Sequence, residues 1–215
     1  MRRQPPASGA AHAADRSQLD PDGLPLYLLV QSRTVERETR RLILREMTEA
    51  DTTAYSLYLE SNFAYFVPWT PQRTKDYYNE GNVRQMIASR MDLAAAKAAF
   101  TFGLFRKSDL RLIGTAGITN IVYGVFQSCN LGYELSQDAV GNGYMTEALQ
   151  AVVEFCFAEL RLHRIEANVM PRNDRSKSVL KRLGFENEGL SRKYLRINGS
   201  WEDHEHYVML NSAAE

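Results

Sequence analysis

The sequence has little of what marks disulfide-rich, metal-binding, membrane-spanning or nucleic-acid-binding proteins. Its 215 residues include two cysteines, Cys129 and Cys156, which are too few for a disulfide framework, and they contain no CxxC or HxxxH spacing typical of metal sites. No segment approaches the roughly 18 consecutive apolar residues of a membrane span. Lys and Arg together number 26, as do Asp and Glu, so the basic excess that neutralises nucleic-acid phosphates is missing. We therefore expect a cytoplasmic protein without metal, membrane or direct nucleic-acid partners.

The composition that remains is that of one ordinary globular domain. Hydrophobic residues make up 44% and charged residues 24% of the chain, enough apolar material for a sizeable core. Residues 1–22 are rich in Ala, Pro, Ser and Asp and show no periodicity, which predicts a disordered N-terminal tail. We expect the folded domain to span residues 39–212, and its oligomeric state to be a monomer or a homodimer.

Hydrophobic periodicity predicts the element order β-α-α-β-β-β-α-β-α-β-β. Strands are predicted at residues 41–45, 100–105, 112–122, 129–135, 164–170, 191–197 and 201–210. Helices are predicted after the capping pair Thr48 and Asp51, at 76–98 with a break near Gly81, at 143–160, and at 175–183 before Gly184. Three consecutive strands followed by a β-α-β unit indicate an α/β or α+β domain with a mixed sheet.

A glycine-containing loop at residues 140–145 joins a predicted strand to a predicted helix. Gly141 and Gly143 would let an anion approach the backbone without meeting a Cβ atom, and the unpaired amides of the helix start attract negative charge. The loop lacks the third glycine of a Rossmann motif and the Gly-Lys-Ser/Thr of a Walker loop. A phosphate site and a plain turn both fit this pattern.

The second informative stretch is residues 163–189, in which a strand precedes Asn173-Asp174-Arg175-Ser176 and the helix ends in Leu183-Gly184-Phe185. This stretch closely resembles the end of a GNAT acetyltransferase domain. The loop before it then resembles the family's pyrophosphate loop, with Gly143 at the central glycine. Val140 replaces the usual initial Gln or Arg and Met145 the final small residue, and neither change removes a backbone amide.

The resemblance covers residues 39–210 and is sharpest for the branch that acetylates the N-terminal alanine of ribosomal proteins. It is carried there by Pro68-Trp69, by residues 168–173, and by residues 194–204. The resemblance implies a GNAT fold, with a mixed, mostly antiparallel central sheet flanked by helices. It also implies acetyl transfer from acetyl-CoA to a primary amine without a covalent enzyme intermediate.

By the same resemblance, acetyl-CoA would be bound as the co-substrate by the end of one strand, the following loop and the start of a later helix. The implied residues are Tyr133, Leu135, Val140, Gly141, Asn142, Gly143, Tyr144, Met145, Asn173 and Ser176. Backbone amides at Tyr133-Glu134-Leu135 would polarise the thioester carbonyl.

The catalytic acid and base depart from the family pattern. Leu180 stands where many members carry a tyrosine acid, and we expect Ser176, one turn upstream, to replace it, with helix capping or solvent contact as its alternative role. Asn168 stands where a catalytic Glu often lies and would hold the amine or a water. Glu134 is the nearest carboxylate, and would be either catalytic or a solvated strand residue. Because an α-amine has a pKa of about 7.7–8.0 and lysine about 10.4, a site without a strong base favours an N-terminal amine.

Other residues have open interpretations. His204 and His206 alternate on one strand without a third ligand, which disfavours a metal site. Trp69 would line an acceptor groove or fix its loop, and Arg172, Arg175, Lys177 and Arg182 would neutralise CoA phosphates or be solvated. The acceptor is expected to be a protein N-terminus. The alternatives are a small-molecule amine, such as an antibiotic or polyamine, and a catalytically idle acyl-CoA-binding sensor.

Overall fold

The computed structural model describes residues 35–214, so the tail predicted for residues 1–22 lies outside the described residues. The strands are β1 (Glu36–Glu38), β2 (Leu42–Glu46), β3 (Phe100–Arg106), β4 (Leu112–Val122), β5 (Ser128–Leu135), β6 (Arg164–Val169), β7 (Glu186–Ile197) and β8 (Ser200–Leu210). The helices are α1 (Thr52–Ser61), α2 (Phe63–Phe66), α3 (Glu80–Ala95), α4 (Tyr144–Ala158) and α5 (Asp174–Leu183).

One sheet of eight strands, in the order β1-β2-β3-β4-β5-β6-β8-β7, runs through this part of the chain. Its pairs are antiparallel except for β5 and β6, which are parallel because α4 crosses over between them. The parallel pairing covers only three registers, from Ser128 opposite Arg164 to Asn130 opposite Glu166. Both strands continue past that point, so the sheet opens there; we call this opening the splay.

The two faces of the sheet are covered by different helices. The larger core packs α4 and α5 against one face and includes Leu131, Ile165, Ala167 and Tyr207. A smaller core packs α1 and α3 against the other face of β2 and β3. Because side chains alternate along a strand, the residues between these core positions on β5, β6 and β8 point to the face away from α4 and α5.

The predicted fold class is confirmed, and the structure differs from the predicted elements mainly in one missed strand and in the starts of α3 and β7. β1 was missed because a three-residue polar strand carries no periodic signal. α3 begins at Glu80, because Asn79 caps it by accepting a hydrogen bond from the amide of Asn82, so the break precedes Gly81. β7 begins at Glu186, five residues before the predicted start at residue 191. The prediction missed these residues because this exposed edge strand lacks apolar alternation. No helix within residues 35–214 is long and apolar enough to cross a membrane.

Candidate active site

The splay leaves one edge of β5 without a strand partner. On its other side β5 stays paired with β4 as far as Leu135, whereas its pairing with β6 stops at Asn130. The β6-facing peptide groups of residues 131–135 are therefore free of sheet hydrogen bonds. An extended ligand that enters the splay would meet backbone donors and acceptors there.

A cavity of about 310 Å³ lies at the splay. The end of β5, the loop after it and the first turns of α4 and α5 form most of its wall, and the segment around α2 closes the rest. The cavity is lined by Tyr65, Phe66, Trp69, Thr70, Tyr133, Glu134, Leu135, Val140, Gly141, Gly143, Tyr144, Met145, Thr146, Asn173, Arg175, Ser176, Val179 and Arg182. Nine of the ten residues expected from the resemblance to contact acetyl-CoA are in this set, Asn142 being the exception.

The loop at residues 140–145 has the backbone that an anion site needs. Gly141 and Gly143 have φ angles of +85° and +76°, a left-handed conformation that favours glycine. Gly143 is the N-cap of α4, so the first amides of that helix have no intrahelical acceptor. A Cβ atom built at Gly141 would meet nothing within 4 Å, which leaves the loop backbone open to a ligand.

A hydrogen-bond network that includes Thr39 and Arg41, between β1 and β2, holds this loop in place. Glu147, in the first turn of α4, accepts hydrogen bonds from Thr39 Oγ1 at 2.6 Å and from Arg41 Nε at 2.7 Å. Arg41 Nη1 donates to the Asn142 carbonyl at 2.8 Å. The Asn142 side chain donates to the carbonyl of Ala139 at 3.2 Å. Asn142 therefore shapes the loop rather than lining the cavity.

On the α5 side of the splay, two hydroxyls meet. Tyr133 Oη lies 2.7 Å from Ser176 Oγ, and the Ser176 amide donates to Asn173 Oδ1 at 3.2 Å. Asn173, not Ser176, is thus the side-chain cap of α5. Burial raises the pKa of Tyr133 to about 12, with the Ser176 hydrogen bond acting in the opposite direction, so the phenol stays protonated. Leu180 is fully buried in the core and takes no part.

Glu134 lies on the opposite face of the sheet because its neighbours on β5, Leu131 and Tyr133, pack toward α4 and α5. Glu134 is one of the residues that line the cavity, and its Oε1 accepts a hydrogen bond from Thr115 Oγ1 at 3.4 Å. Burial raises its pKa, and the positive charges of Arg90 and Arg73 offset part of that effect. Glu134 is half-buried at the cavity wall, and its catalytic role stays a prediction.

Asn168 shares that face but does not line the cavity. It lies on β6 two residues beyond the last pair with β5, directly opposite His206 of β8. Its Oδ1 is buried and has no hydrogen-bond partner among the described residues. A buried acceptor of this kind needs a donor, which an incoming amine or a water would supply.

Comparison with known proteins identifies the architecture. The family model described as "Acetyltransferase (GNAT) domain" matches residues 41–186. The chain belongs to the GNAT acetyltransferase family. It is an N-acetyltransferase with the GNAT fold, as the resemblance predicted.

Two relatives and one solved structure illustrate the relation. "Probable N-acetyltransferase YjcK" of Bacillus subtilis is 42% identical over 167 residues, covering 77% of this chain and 91% of the relative. The "[Ribosomal protein uS5]-alanine N-acetyltransferase" of Escherichia coli is 36% identical over 170 residues, covering 79% and 88%. The structure of Mycobacterium smegmatis RimJ in complex with CoA-disulfide has a TM-score of 0.78 at 28% identity and covers 86% of this chain and 92% of that one.

The GNAT assignment places the remaining candidate residues in context. Arg175 and Arg182 line the cavity, while Arg172 is paired with Glu202 and Lys177 with Asp174. Trp69 lines the cavity too, and Arg172 lies over its ring, so it both forms the wall and fixes its loop. No group of three or more His, Cys, Asp or Glu side chains in residues 35–214 is arranged to hold a metal ion.

The sequence did not reveal two features of this GNAT site. The sequence predicted a role only for the backbone of Tyr133. The periodicity of β5 gave no sign that its phenol reaches Ser176. The second feature is Glu166, whose carboxylate contacts His206 and Arg164. Both depend on contacts between strands and helices that are far apart in the chain.

Proposed function

We propose that this enzyme transfers the acetyl group of acetyl-CoA to the N-terminal α-amine of a protein, such as a ribosomal protein. The observation that carries the proposal is the cavity at the splay, which connects an amide-rich loop on one side to a carboxylate and aromatic rings on the other. The relatives named ribosomal-protein alanine acetyltransferases support this acceptor class. Acetyl-CoA, when bound, supplies the activated acetyl thioester.

The protein's contribution on the coenzyme side is mainly backbone. The amides of Gly143, Tyr144 and Met145 would hold the pyrophosphate at the positive end of α4. Arg175 and Arg182 add positive charge at the cavity wall. The unpaired peptide N–H groups at the end of β5 would donate to the thioester oxygen as negative charge develops on it.

Ser176 and Tyr133 would assist the leaving sulfur. Their hydroxyls lie 2.7 Å apart at the cavity wall, and each can both donate and accept a hydrogen bond. A proton passed from Ser176 to the departing thiolate can be replaced from Tyr133, whose raised pKa keeps its phenol protonated near neutrality. This pair supplies the acid function that Leu180 cannot.

On the acceptor side, the charge and polarity suit an ammonium group. Glu134, at the cavity wall, would attract it, and Asn168, which lies on β6 outside the cavity lining, would reach it through a water. The Trp69 and Tyr65 rings form an apolar wall against which the first side chain of a peptide can pack. An α-amine is already partly neutral near pH 7, so it needs less assistance from a base than lysine does.

A panel of acceptors tests the proposal by release of free CoA and by mass spectrometry of the products. We expect peptides that begin with Ala or Ser to be acetylated at the α-amine. N-terminally blocked peptides with an internal lysine should react at least about 100-fold more slowly, given the difference in amine pKa. Preferential acetylation of a polyamine or an aminoglycoside would contradict the proposal and favour a small-molecule acceptor. Binding of acetyl-CoA with no acceptor acetylated would also contradict it.

A further inference from the structure

One short segment of the chain crosses the splay and forms a wall of the cavity. We call residues 65–70, which run from the end of α2 through the turn that follows it, the bridge. Tyr65, Phe66, Trp69 and Thr70 of the bridge all line the cavity. The bridge starts between α1 and α3, on the side of β4 and β5, and contacts residues beyond β6. It therefore spans the opening.

The near end of the bridge is anchored by packing. Phe66 is 6% exposed and belongs to the smaller core, where its ring centroid lies 5.7 Å from that of Tyr58. The Thr70 hydroxyl donates to the Phe66 carbonyl at 3.1 Å, which closes the turn between these residues. Pro68 restricts the backbone directly before Trp69. Apolar burial and a stiff turn therefore set the position of this end.

The far end of the bridge is held by two arginines near the start of α5. Arg175 Nη1 donates to Tyr65 Oη at 2.9 Å. Arg172 Nη2 donates to the Pro68 carbonyl at 3.3 Å, and Arg172 Cζ lies 5.7 Å from the centroid of the Trp69 ring. This distance is within the range of a cation–π contact. Each arginine therefore holds one aromatic side chain of the cavity wall.

The β7–β8 hairpin supplies the remaining attachment. The Asn198 amide donates to the Thr70 carbonyl at 2.9 Å, and Arg172 Nη1 donates to Glu202 Oε2 on β8 at 2.6 Å. Arg172 thus contacts a carbonyl of the bridge, the Trp69 ring and β8 at the same time. A planar guanidinium with five N–H donors can make these contacts together, whereas a lysine ammonium on a flexible stem cannot.

Arg172 supports the cavity wall without being part of it. It is not among the residues that line the cavity, whereas Trp69 is, and its side chain is 50% exposed. Replacing Arg172 therefore leaves in place every group that the proposed function assigns to acetyl-CoA, the leaving sulfur or the amine. Its effect on an acceptor has to pass through the Trp69 ring and the backbone of the bridge.

The size of the cavity gives the position of this wall a consequence. About 310 Å³ is at the low end of the range for ligand sites, and this volume has to hold the thioester end of acetyl-CoA together with the first residue of the acceptor. An alanine or serine side chain adds little to that volume. A leucine side chain needs space that Trp69 occupies, so a wall that is held in place rejects it and a wall that can move admits it.

Resting on the function proposed above, we propose that Arg172 is a positioning residue that holds the Trp69 ring against the first side chain of the acceptor. The enzyme then selects protein N-termini that begin with a small residue. The strands and the bridge have separate tasks in this arrangement. Glu134 and Asn168 act on the amine, while the bridge limits the size of the side chain beside it.

The first test compares Arg172→Ala with wild type on two peptides that differ only in beginning with Ala or Leu. Wild type should prefer the Ala peptide by about 10-fold or more in kcat/KM, the usual effect of added methylenes in a fixed pocket. In Arg172→Ala this preference should fall to about 3-fold or less. The KM for the Ala peptide should rise about 3- to 10-fold, while kcat at saturation and the Kd for acetyl-CoA should stay within about twofold.

Further variants separate positioning from general support. Arg172→Lys keeps the charge and can still pair with Glu202, so its preference for Ala should lie between those of wild type and Arg172→Ala. Trp69→Ala should also reduce the preference, and adding Arg172→Ala to it should reduce the preference no further, because both act through one ring. Arg192→Ala removes an exposed arginine of β7 outside the bridge and should match wild type. If Arg172→Ala fails to fold, Glu202→Gln, which loosens Arg172 without removing it, should lower the preference by a smaller factor.

The proposal is overturned if wild type acetylates the two peptides equally well, or if Arg172→Ala keeps the wild-type preference. Additive losses in the double variant, or a change confined to acetyl-CoA affinity, would also overturn it. A wild-type enzyme that acetylates neither peptide contradicts the proposed function as well. Acetylation of the Ala peptide with the same preference in wild type and Arg172→Ala contradicts the role of Arg172 alone, so the two failures are distinguishable.

Discussion

The two sides of the splay differ in the chemical groups that they present. The proposed coenzyme side consists of backbone amides, a helix terminus and two neutral hydroxyls, and Gly143 and Ser176 both line the cavity there. The proposed acceptor side consists of polar side chains, Glu134 of β5 and Asn168 of β6, on the two strands that flank the splay. The first side suits one invariant ligand, while the second can be retuned by single substitutions without disturbing the loop. Recognition of the acceptor amine is therefore expected to reside on the strands, and affinity for the coenzyme in the loop.

The largest expected effect is a loss of acetyl-CoA affinity, which concerns the coenzyme side alone. Gly143→Val should raise the Kd for acetyl-CoA by about 100-fold or more, because a branched side chain would occupy the space in front of the loop amides. Gly124, in the β4–β5 turn, is a matched control, since its φ of +73° is nearly that of Gly143 and a Cβ there meets nothing within 4 Å.

Both valine variants should lose roughly 1–2 kcal/mol of stability from the left-handed backbone. Only Gly143→Val should lose affinity in a calorimetric titration. Equal affinity in the two variants would contradict the loop assignment.

The next effect concerns the hydroxyl pair. Ser176→Ala should lower kcat about 10- to 100-fold with little change in acetyl-CoA binding, as expected for the loss of an acid whose leaving group is already tolerable. Tyr133→Phe should reduce kcat less, since Ser176 would remain. In the double variant the two losses should not add, because the hydroxyls share one hydrogen bond. Additive losses measured by steady-state kinetics would show that they act separately.

A smaller effect is expected on the acceptor side. Asn168→Ala should raise the KM for the acceptor by about 3- to 10-fold, the value of one hydrogen bond, without changing the KM for acetyl-CoA. The measurement is a pair of saturation curves, one for each substrate. A change in the KM for acetyl-CoA alone would show that Asn168 acts on the coenzyme side and contradict its proposed role.

The smallest effect is one of stability, and it depends on pH. The folded-state pKa of Glu134 is raised by burial, so its contribution to stability is fully present below its unfolded pKa and is lost as the pH rises through the folded pKa. Glu134→Gln removes that loss and should raise Tm by a degree or so at pH 7. The gain should vanish near pH 4. A variant that is less stable at pH 7 would show that Arg90 and Arg73 hold the carboxylate more strongly than burial opposes it.

The same division explains what the sequence could predict. The Gly143 loop and the Asn173–Ser176 helix start are local motifs, each readable within a few residues, and nine of the ten residues expected at the coenzyme do line the cavity. The hydrogen bonds of His206 with Ser191 and Glu166 join residues up to 40 positions apart and depend on strand register. A shift of one residue between β6 and β8 would separate Glu166 from His206, and no local pattern encodes that register.

Arg41 and Thr39 contact Glu147, so the stability of the loop conformation depends on the distant segment between β1 and β2. Because Arg41 also binds the Asn142 carbonyl, the position of the segment between β1 and β2 and the conformation of the loop are energetically coupled. A ligand that favours this loop conformation would also favour the position of that segment, by the coupling free energy between them. A chain trimmed to start at Arg41, where the family match begins, would lose Thr39 and part of that linkage.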